Sequence, residues 1–237
     1  MLAEMHKTWL EVALNGPWGK ARQPGIPVRV ADIVAEGIAC AREGAAIVHV
    51  HAYDEASGRQ HDSAELYARI IEGIRREVDC IVYPTIPFAG RETGAAERFA
   101  AIEELGRRGL LEWAVVDPGS VNLDDIVYLN PDAHVRHGLA LASRFGFPPA
   151  QYALDAYLRL LADEAPGAPW MAAGLAVDIL AIAEAAVARG GHLRVGLEDA
   201  PFGSARGNRD WVTAGRRAIE RAGGELASAA EVRAALS

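Results

Sequence analysis

Ala46-Ile47-Val48-His49-Val50 is an almost uninterrupted apolar run of the length of one strand, and it decides the fold class of this chain. Apolar residues at successive positions predict a strand that is covered on both faces, as in a parallel sheet. Three similar runs accompany it, with the four centres near residues 12, 48, 82 and 115. The spacing of about 35 residues is typical of repeated βα units joined by right-handed crossovers.

The segments between these runs carry apolar residues at helical spacing, so strands and helices are predicted to alternate. Strands are predicted at residues 9–14, 46–50, 80–83, 112–116, 170–173 and 192–197, with 148–155 as a candidate for one more. Helices are predicted at 30–42 (ended by Gly44), from Ser63 onward, and at 96–105, 124–145, 157–162, 177–188 and 211–222. Seven strands are one short of an eight-stranded barrel, and without any linker we predict a single domain over residues 1–237.

Composition excludes several functional classes. The chain has 24 Lys and Arg against 32 Asp and Glu, a net charge of -8, which argues against sequence-independent nucleic-acid binding. The two cysteines, Cys40 and Cys80, have no metal-knuckle spacing and are predicted to be buried thiols. We find no signal-peptide pattern at the N-terminus and no apolar run of the ~18 residues that a membrane span needs, so a cytoplasmic location is expected.

Polar residues cluster where the predicted strands end, which is where α/β proteins carry their active sites. They are Asn15 after the first strand, His49 and His51 at the second, Thr85 after the third, Asp117, Ser120 and Asn122 after the fourth, and Glu198 and Asp199 at the last. We take Asn15, Ser120 and Asn122 as candidate substrate-binding residues.

The pair His49 and His51 is the sharpest of these features. Side chains two residues apart on a strand point the same way, so both imidazoles can face one point, and imidazole is a frequent ligand of divalent metals. A catalytic zinc needs a third protein ligand, for which Glu198 is the candidate. The alternative is that both histidines only hydrogen-bond within the sheet. The other five histidines, His6, His61, His134, His137 and His192, are predicted to be surface or loop residues.

The run from Arg194 to Asp199 is the second feature. Arg194 and Glu198 share one face of the predicted strand, and Asp199 lies at the turn after it. A carboxylate beside a metal and an arginine is held ionised and can take a proton from a bound substrate. The alternative is an Arg–Asp ion pair that only closes the end of the strand.

Two loops permit both a structural and a functional interpretation. Residues 117–122 have the composition of a turn followed by a helix N-cap, which we favour, although their backbone amides could hold an anion. Residues 203–208, with Arg206 and the nearby Arg209, are either a solvated loop or an anion-binding lid. The chain contains neither a Gly-x-Gly-x-x-Gly motif nor a P-loop.

Several of these segments together resemble the beta-keto acid cleavage enzymes, the family of 3-keto-5-aminohexanoate cleavage enzyme. The resemblance runs along most of the chain. It rests on the segments 13–16, 44–54 with Gly58-Arg59, 119–122, 191–199, Asn208 before Trp211-Val212, and 231–233. The His-x-His segment and the Arg-Val-Gly-Leu-Glu-Asp segment, in this order and at this distance, are quite specific.

The resemblance implies a (β/α)8 TIM-type barrel and a zinc-like divalent ion held by His49, His51 and Glu198. It implies that a beta-keto acid and acetyl-CoA are converted to acetoacetate and a new acyl-CoA. Asp199 matches the general base of the family, supported by Arg194, and Thr85 matches a hydroxyl residue near the substrate. The family pattern also implies a homo-oligomer.

This chain departs from the family pattern in four places. Trp18 stands where many members carry an acidic residue, Val115 replaces a hydroxyl, and the Pro-Glu segment of the fifth strand is Pro149-Ala150-Gln151-Tyr152. One βα unit between residues 145 and 170 is shortened or missing. We therefore expect a substrate without an amino group, with an apolar or differently placed polar tail. Two other functions stay open, a metal-dependent aldolase or decarboxylase that uses no CoA, and a barrel that binds a small acid without converting it.

Overall fold

The computed structural model describes residues 7–88, 93–115, 121–122, 127–128, 154, 158–159, 161–163 and 165–236. In the described residues the strands are β1 (Lys7–Thr8), β2 (Leu10–Ala13), β3 (Ile47–Val50), β4 (Tyr53–Asp54), β5 (Arg59–Gln60), β6 (Ile81–Pro84), β7 (Val121–Asn122), β8 (Val127–Tyr128), β9 (Met171–Ala172), β10 (His192–Val195) and β11 (Glu225–Leu226). The helices are α1 (Gly19–Arg22), α2 (Val30–Glu43), α3 (Ala64–Arg75), α4 (Ala95–Arg107), α5 (Leu180–Val187), α6 (Asn208–Arg221) and α7 (Ala229–Ala235).

Five strands form one parallel sheet in the order β6-β3-β2-β10-β9. The predicted α/β class with a parallel sheet is therefore confirmed. The central strand β2 lies between β3 and β10, so the carboxyl ends of β3 and β10 reach the same edge of the sheet on either side of it. Among the helices described, none combines the length and the hydropathy needed to cross a membrane.

The two faces of the sheet bury different side chains, as strand alternation requires. One face packs against the helices and carries aliphatic residues such as Val12, Val48 and Val195. The opposite face holds a second apolar cluster that includes Ile47 and Tyr83. The charged and imidazole side chains of β2, β3 and β10 share this second face, because their positions alternate with those of the valines.

The ends of two helices follow the local chemistry that the sequence predicts. The first long helix, α2, ends at Gly44, whose φ of 125° lies in the region that glycine tolerates. The helix α3 begins after Ser63, whose hydroxyl accepts a hydrogen bond from the backbone N–H of Leu66.

The predicted strand at 112–116 is wrong for the residues described, because residues 112–115 belong to no strand. Trp113 and Val115 pack against the second apolar cluster, while the Glu112 carboxylate pairs with the guanidinium groups of Arg75 and Arg233. Ion pairs and one-sided packing hold this segment, rather than a strand ladder. Val116 lies outside the described residues.

Two more predictions between residues 120 and 160 need correction. Val127–Tyr128, predicted as helix, pairs antiparallel with Val121–Asn122, a short hairpin that suits β-branched and aromatic residues. Leu154, within the candidate strand at 148–155, is helical. The remainder of 124–145 and of 148–155 lies outside the described residues. The βα unit expected to be shortened, between residues 145 and 170, is described only in parts of 154–170. That the whole chain is a single domain stays a prediction.

Candidate metal centre and active site

Three side chains from two strands converge at the carboxyl edge of the sheet. His49 lies on β3, His51 directly follows β3, and Glu198 follows β10. His49 Nε2 lies 3.4 Å from Glu198 Oε2, and His51 Nε2 lies 3.4 Å from Glu198 Oε1. One potential ligand atom from each residue lies within 4.8 Å of the others, and both imidazoles are almost fully buried. The sequence placed these three residues together correctly.

A close approach of two strands brings Glu198 to this point. The backbone N–H of Glu198 donates to the carbonyl oxygen of Ala13, which lies opposite His49 in the sheet. Gly196 makes this approach possible, because a Cβ atom there would lie 2.2 Å from the Ala13 carbonyl oxygen, and its φ of +133° suits glycine alone.

Two buried asparagines fix the ends of these strands. The Asn15 side chain accepts a hydrogen bond from the backbone N–H of His51 and donates to the His51 carbonyl oxygen, at 2.9 Å each, and to the Pro27 carbonyl oxygen. The Asn208 side chain accepts from the Leu197 N–H and donates to the Leu14 carbonyl oxygen. Asn15 therefore orients a histidine in this structure, and its direct contact with substrate stays a prediction.

The cluster fits a divalent metal ion. His51 Nε2 and Glu198 Oε2, which lie on the facing sides of the cluster, are buried polar atoms that have no hydrogen-bond partner among the residues the structure describes. Buried polar atoms are rarely left unsatisfied without a reason, and an ion that is not part of the protein chain is one such reason. Two imidazoles and one carboxylate are also a donor set that catalytic zinc uses, with a position left open for substrate.

Arg194 connects this cluster to the predicted base. Its Nε and Nη2 atoms donate to Asp199 Oδ2 and Oδ1 at 2.8 and 3.1 Å, a two-pronged pairing that fixes the carboxylate plane. Nη2 also lies 2.8 Å from Glu198 Oε1. The Arg194–Asp199 ion pair is therefore present and lies directly beside the candidate metal site, and the role of Asp199 as a base stays a prediction.

Two members of this network, Glu11 and Tyr83, were missed from the sequence. Glu11 on β2 is 2% exposed, its Oε1 lies 3.4 Å from Arg194 Nη1, and it accepts a 2.6 Å hydrogen bond from the Tyr83 hydroxyl. A lone glutamate in the apolar run 9–14 was the available signal, because an ionisable residue is rarely buried unless it is paired.

The ionisation of the site follows from burial and from the arginine. Burial raises the pKa of Asp199 to about 7, and the neighbouring Glu198 charge adds to the rise, while Arg194 opposes it. The expectation that Arg194 holds this carboxylate ionised is therefore wrong in direction for the metal-free site, because burial outweighs the arginine. For Glu198, burial also acts to raise the pKa, but His49, Arg194 and His51 together hold it well below its usual range. Burial lowers the pKa of His49 to about 4. Glu198 is therefore an anion, and His49 is a neutral imidazole with a lone pair available for a metal.

The other predicted site residues differ in what the structure shows of their relation to the metal cluster. Thr85 is buried just after β6, but its hydroxyl donates to the Ile86 carbonyl oxygen, so it takes no part in the hydrogen bonds of the cluster. Ser120 lies outside the described residues. Asn122 is described only as backbone of β7, so its side chain, like Ser120, stays a prediction.

The prediction that His192 is a surface or loop residue is wrong. It is 3% exposed on β10, stacks on the Trp9 ring at 3.9 Å between ring centroids, and accepts a hydrogen bond at Nδ1 from the Trp9 backbone N–H. Its position at the amino end of the strand places it at the edge of the sheet opposite the metal cluster. His61 is exposed, as predicted, and His6, His134 and His137 lie outside the described residues. The cysteines Cys40 and Cys80 are buried free thiols, also as predicted.

The proposed lid arginines have partners on the protein itself. Arg206 pairs with Asp178 at 3.6 Å and lies over the Trp211 ring, and Arg209 pairs with Glu43 at 3.8 Å. An anion-binding role for the loop at 203–208 stays a prediction.

Comparison with known proteins identifies the family. A family model described as beta-keto acid cleavage enzyme matches residues 7–150 and 137–237. The chain belongs to the beta-keto acid cleavage enzyme family. Three curated relatives are similar to it. One is 3-oxoadipate:acetyl-CoA acetyltransferase of Cupriavidus necator, at 26% identity, covering 80% of this chain and 79% of that protein.

The other two relatives span even more of the chain. They are 3-keto-5-aminohexanoate cleavage enzyme of Fusobacterium nucleatum, 24% identical with 92% and 93% of the two chains covered, and 3-dehydrocarnitine:acetyl-CoA trimethylamine transferase of Rhizobium meliloti, 26% identical with 88% of each covered. The family assignment makes the chain an enzyme that cleaves beta-keto acids and confirms the resemblance found in the sequence.

Solved structures support the fold. A ternary complex of ObcA with a C4-CoA adduct and oxalate superimposes with a TM-score of 0.60 at 18% identity, covering 91% of this chain and 68% of that one. Apo ObcA gives the same TM-score at 20% identity. The similarity confirms the predicted fold class, of which the described residues contain five parallel strands.

The buried, neutral His49 gives the metal-free protein a specific pH dependence. Its pKa is about 4 when folded and 6.5 when free, so between these values the unfolded chain binds a proton that the folded chain does not. Stability conferred by neutral His49 is therefore complete above pH 6.5 and is lost as the pH falls toward 4, by an amount on the order of 3 kcal/mol. We expect the free energy of unfolding, measured in urea, to fall less between pH 6.5 and pH 4 for His49→Gln than for wild type. Identical slopes of stability against pH for wild type and His49→Gln would show that His49 is not held neutral by burial.

Proposed function

We propose that this chain converts a beta-keto acid and acetyl-CoA to acetoacetate and a new acyl-CoA. The reaction uses a divalent ion held by His49, His51 and Glu198, and this donor set favours Zn²⁺. The observation that carries the proposal is the buried cluster of unsatisfied imidazole and carboxylate atoms beside the Arg194–Asp199 pair. The relatives support the reaction class, since each is named for a 3-oxo, 3-keto or 3-dehydro acid and two are named for acetyl-CoA.

The residues next to the metal site divide the work of this reaction. When bound, the ion supplies Lewis-acid stabilisation of the negative charge that develops on the oxygen atoms of the keto acid. Asp199 accepts a proton from the methylene carbon between the carboxylate and the keto group. Arg194 uses its Nε and Nη2 to hold both Asp199 oxygens, and each oxygen keeps a second lone pair for that proton.

Two bond exchanges then complete the reaction. The deprotonated methylene carbon forms a bond to the acetyl carbonyl carbon while the thioester C–S bond breaks and CoA leaves as a thiolate. The thiolate then attacks the original keto carbon, and the bond from this carbon to the methylene carbon breaks. The proton held by Asp199 returns to the methylene carbon, which is now part of acetoacetate, and the new acyl-CoA is released.

A panel of beta-keto acids, each assayed with and without acetyl-CoA, tests the proposal. The expected result is acetoacetate together with an acyl-CoA, both dependent on acetyl-CoA. Keto acid consumption that needs no acetyl-CoA would favour an aldolase or decarboxylase instead. Thermal stabilisation by keto acids without any product would favour a binding protein. A homo-oligomeric assembly and a cytoplasmic location stay predictions from the sequence.

The rim of the site bears on the choice of keto acid. The Trp18 indole donates a 2.8 Å hydrogen bond to the Glu198 carbonyl oxygen and meets the Phe202 ring edge-on at 5.2 Å. The Arg22 guanidinium lies 4.7 Å from the centre of the Phe202 ring. The Arg22 guanidinium places a positive charge beside this aromatic pair, and this charge disfavours a positively charged tail. We propose a substrate whose tail carries no amino group.

Trp18→Glu tests this specificity. The new carboxylate is expected to raise kcat/KM for an amino-tailed keto acid relative to an apolar one by about twofold to fivefold, the range of an exposed ion pair. Trp18→Gln is the matched control, since it also loses the indole but adds no charge. Equal ratios for the two variants would show that Trp18 does not face the substrate tail.

A further inference from the structure

We propose that Gln60 is a positioning residue for the metal site, fixing the His51 imidazole so that Nε2 presents its bare lone pair to the metal. This inference rests on the proposed metal function of His49, His51 and Glu198. It assigns a role to a segment of the chain, residues 53–62, whose purpose the sequence does not reveal.

The hairpin of β4 and β5 delivers Gln60 to the metal site. The chain leaves β3 at His51, turns through Gly58 with a φ of +66°, and returns antiparallel so that Gln60 lies opposite Tyr53. Gln60 Oε1 then lies 2.9 Å from His51 Nδ1. The hairpin therefore brings a side-chain amide to the nitrogen of His51 that faces away from Glu198.

The orientation of the Gln60 amide follows from its other partner. Its Nε2 lies 3.0 and 2.9 Å from the two carboxylate oxygens of Asp62, and Asp62 Oδ1 also accepts a 2.6 Å hydrogen bond from the Tyr67 hydroxyl. A carboxylate only accepts hydrogen bonds, so the NH₂ group of Gln60 must face Asp62 and its oxygen must face His51. Asp62 thus decides the direction of the whole chain of hydrogen bonds.

The tautomer of His51 follows in turn. A carbonyl oxygen only accepts, so when the His51 ring is neutral, as a metal ligand must be, its proton lies on Nδ1 and its lone pair lies on Nε2. Nε2 is the atom that lies 3.4 Å from Glu198 and has no hydrogen-bond partner among the described residues. The opposite amide orientation would place the proton on Nε2 and block the lone pair.

The two histidines differ in this support. His49 Nδ1 is buried without a hydrogen-bond partner in the described part of the chain, whereas His51 Nδ1 has Gln60 behind it. Hydrogen bonds of this kind raise the basicity of a metal ligand and hold its ring plane, and their loss typically costs about 10–100-fold in metal affinity. Tyr67, buried on α3, anchors Asp62 to the body of the fold.

The test measures Zn²⁺ affinity of the metal-free protein by competition with a chelating dye, without any turnover assay. Gln60→Leu is expected to bind Zn²⁺ about 10–100-fold more weakly than wild type. Arg59→Ala, an exposed change on the same strand β5, is the matched control and is expected to bind as wild type does.

A double variant separates positioning from mere support of the hairpin. In Gln60→Glu/Asp62→Asn the new carboxylate still accepts from His51 Nδ1, and the new amide donates to that carboxylate while accepting from Tyr67. The net charge of the pair is unchanged. We expect this variant to recover most of the Zn²⁺ affinity that Gln60→Leu loses, while Gln60→Glu alone recovers less because two carboxylates then face each other.

The outcomes distinguish this inference from the proposed function. Wild-type protein that binds no Zn²⁺ would overturn the metal site itself. Wild-type binding with unchanged affinity in Gln60→Leu would overturn only the role of Gln60. If Gln60→Leu does not fold, the double variant decides alone, since weak binding by a folded double variant contradicts the hydrogen-bond argument.

Discussion

His49→Ala is expected to remove stoichiometric divalent metal from the purified protein and to lower turnover of the beta-keto acid by roughly a thousandfold or more. The metal contributes several kcal/mol of transition-state stabilisation, and each 1.36 kcal/mol that is lost lowers the rate tenfold. His49 is 2% exposed and its imidazole is one of three donors, so neither water nor a neighbouring side chain replaces it easily. Metal content after dialysis, measured by mass spectrometry, and kcat are the two readouts.

Because His49 is packed in the core, a second variant is needed to separate loss of the metal from loss of stability. Its ring lies 4.6 Å from the Tyr83 ring, so truncation to alanine leaves a cavity and lowers stability as well. His49→Gln fills more of the space and is expected to lose metal too, with a smaller loss of stability. His61→Ala, an exposed histidine that follows β5, is expected to keep full metal content and activity. Stoichiometric metal in both His49 variants would contradict the ligand assignment.

The parts of this site that the sequence predicts are those governed by strand geometry. His49 and His51 are two residues apart at a strand end, so alternation predicts that both imidazoles face one point. Glu198 follows another strand of the same parallel sheet, which predicts only that it lies at the same edge. Family resemblance added the roles of Arg194 and Asp199. What alternation does not supply is the neighbour order of the strands, and the structure provides it by placing β2 between β3 and β10.

The missed residues depend on contacts between distant parts of the chain. Glu11 and Tyr83 lie 72 positions apart and meet only because β2, β3 and β6 are neighbours in the sheet. Gln60 and Asp62 have the composition of a surface loop, and only the hairpin geometry shows that Gln60 reaches His51 while Asp62 holds the Gln60 amide. His192 was misplaced for the same reason, because its burial comes from stacking on Trp9, 183 positions away.

The segment 112–115 shows a different limit of sequence reasoning. Its apolar composition predicts a strand, but composition does not state whether a ladder partner is available. Trp113 and Val115 pack against the second apolar cluster, and Glu112 pairs with Arg75 and Arg233. Tertiary contacts override β propensity in such a case, since that propensity mostly reports packing against neighbours.

Asp199→Asn is expected to keep the metal and lose the chemistry. The amide has the same shape as the carboxylate, and Arg194 retains Glu198 and Glu11 as acidic partners, so the arginine is expected to stay in place. The three metal donors are unchanged. An amide does not accept a proton at neutral pH, so proton removal from the methylene carbon loses its general base, worth about 10²–10⁴-fold in kcat.

Three measurements separate this result from general damage to the site. Metal content is expected to equal that of wild type, and KM for the keto acid is expected to change far less than kcat, because Asp199 acts on the proton rather than on ground-state binding. Exchange of the methylene protons with deuterated water, followed by NMR without acetyl-CoA, is expected to be lost in Asp199→Asn and retained in Asp32→Asn, an exposed control on α2. Proton exchange at the wild-type rate in Asp199→Asn would assign the base to another group, and Glu11, the buried carboxylate on the other side of Arg194, would then be the next residue to replace.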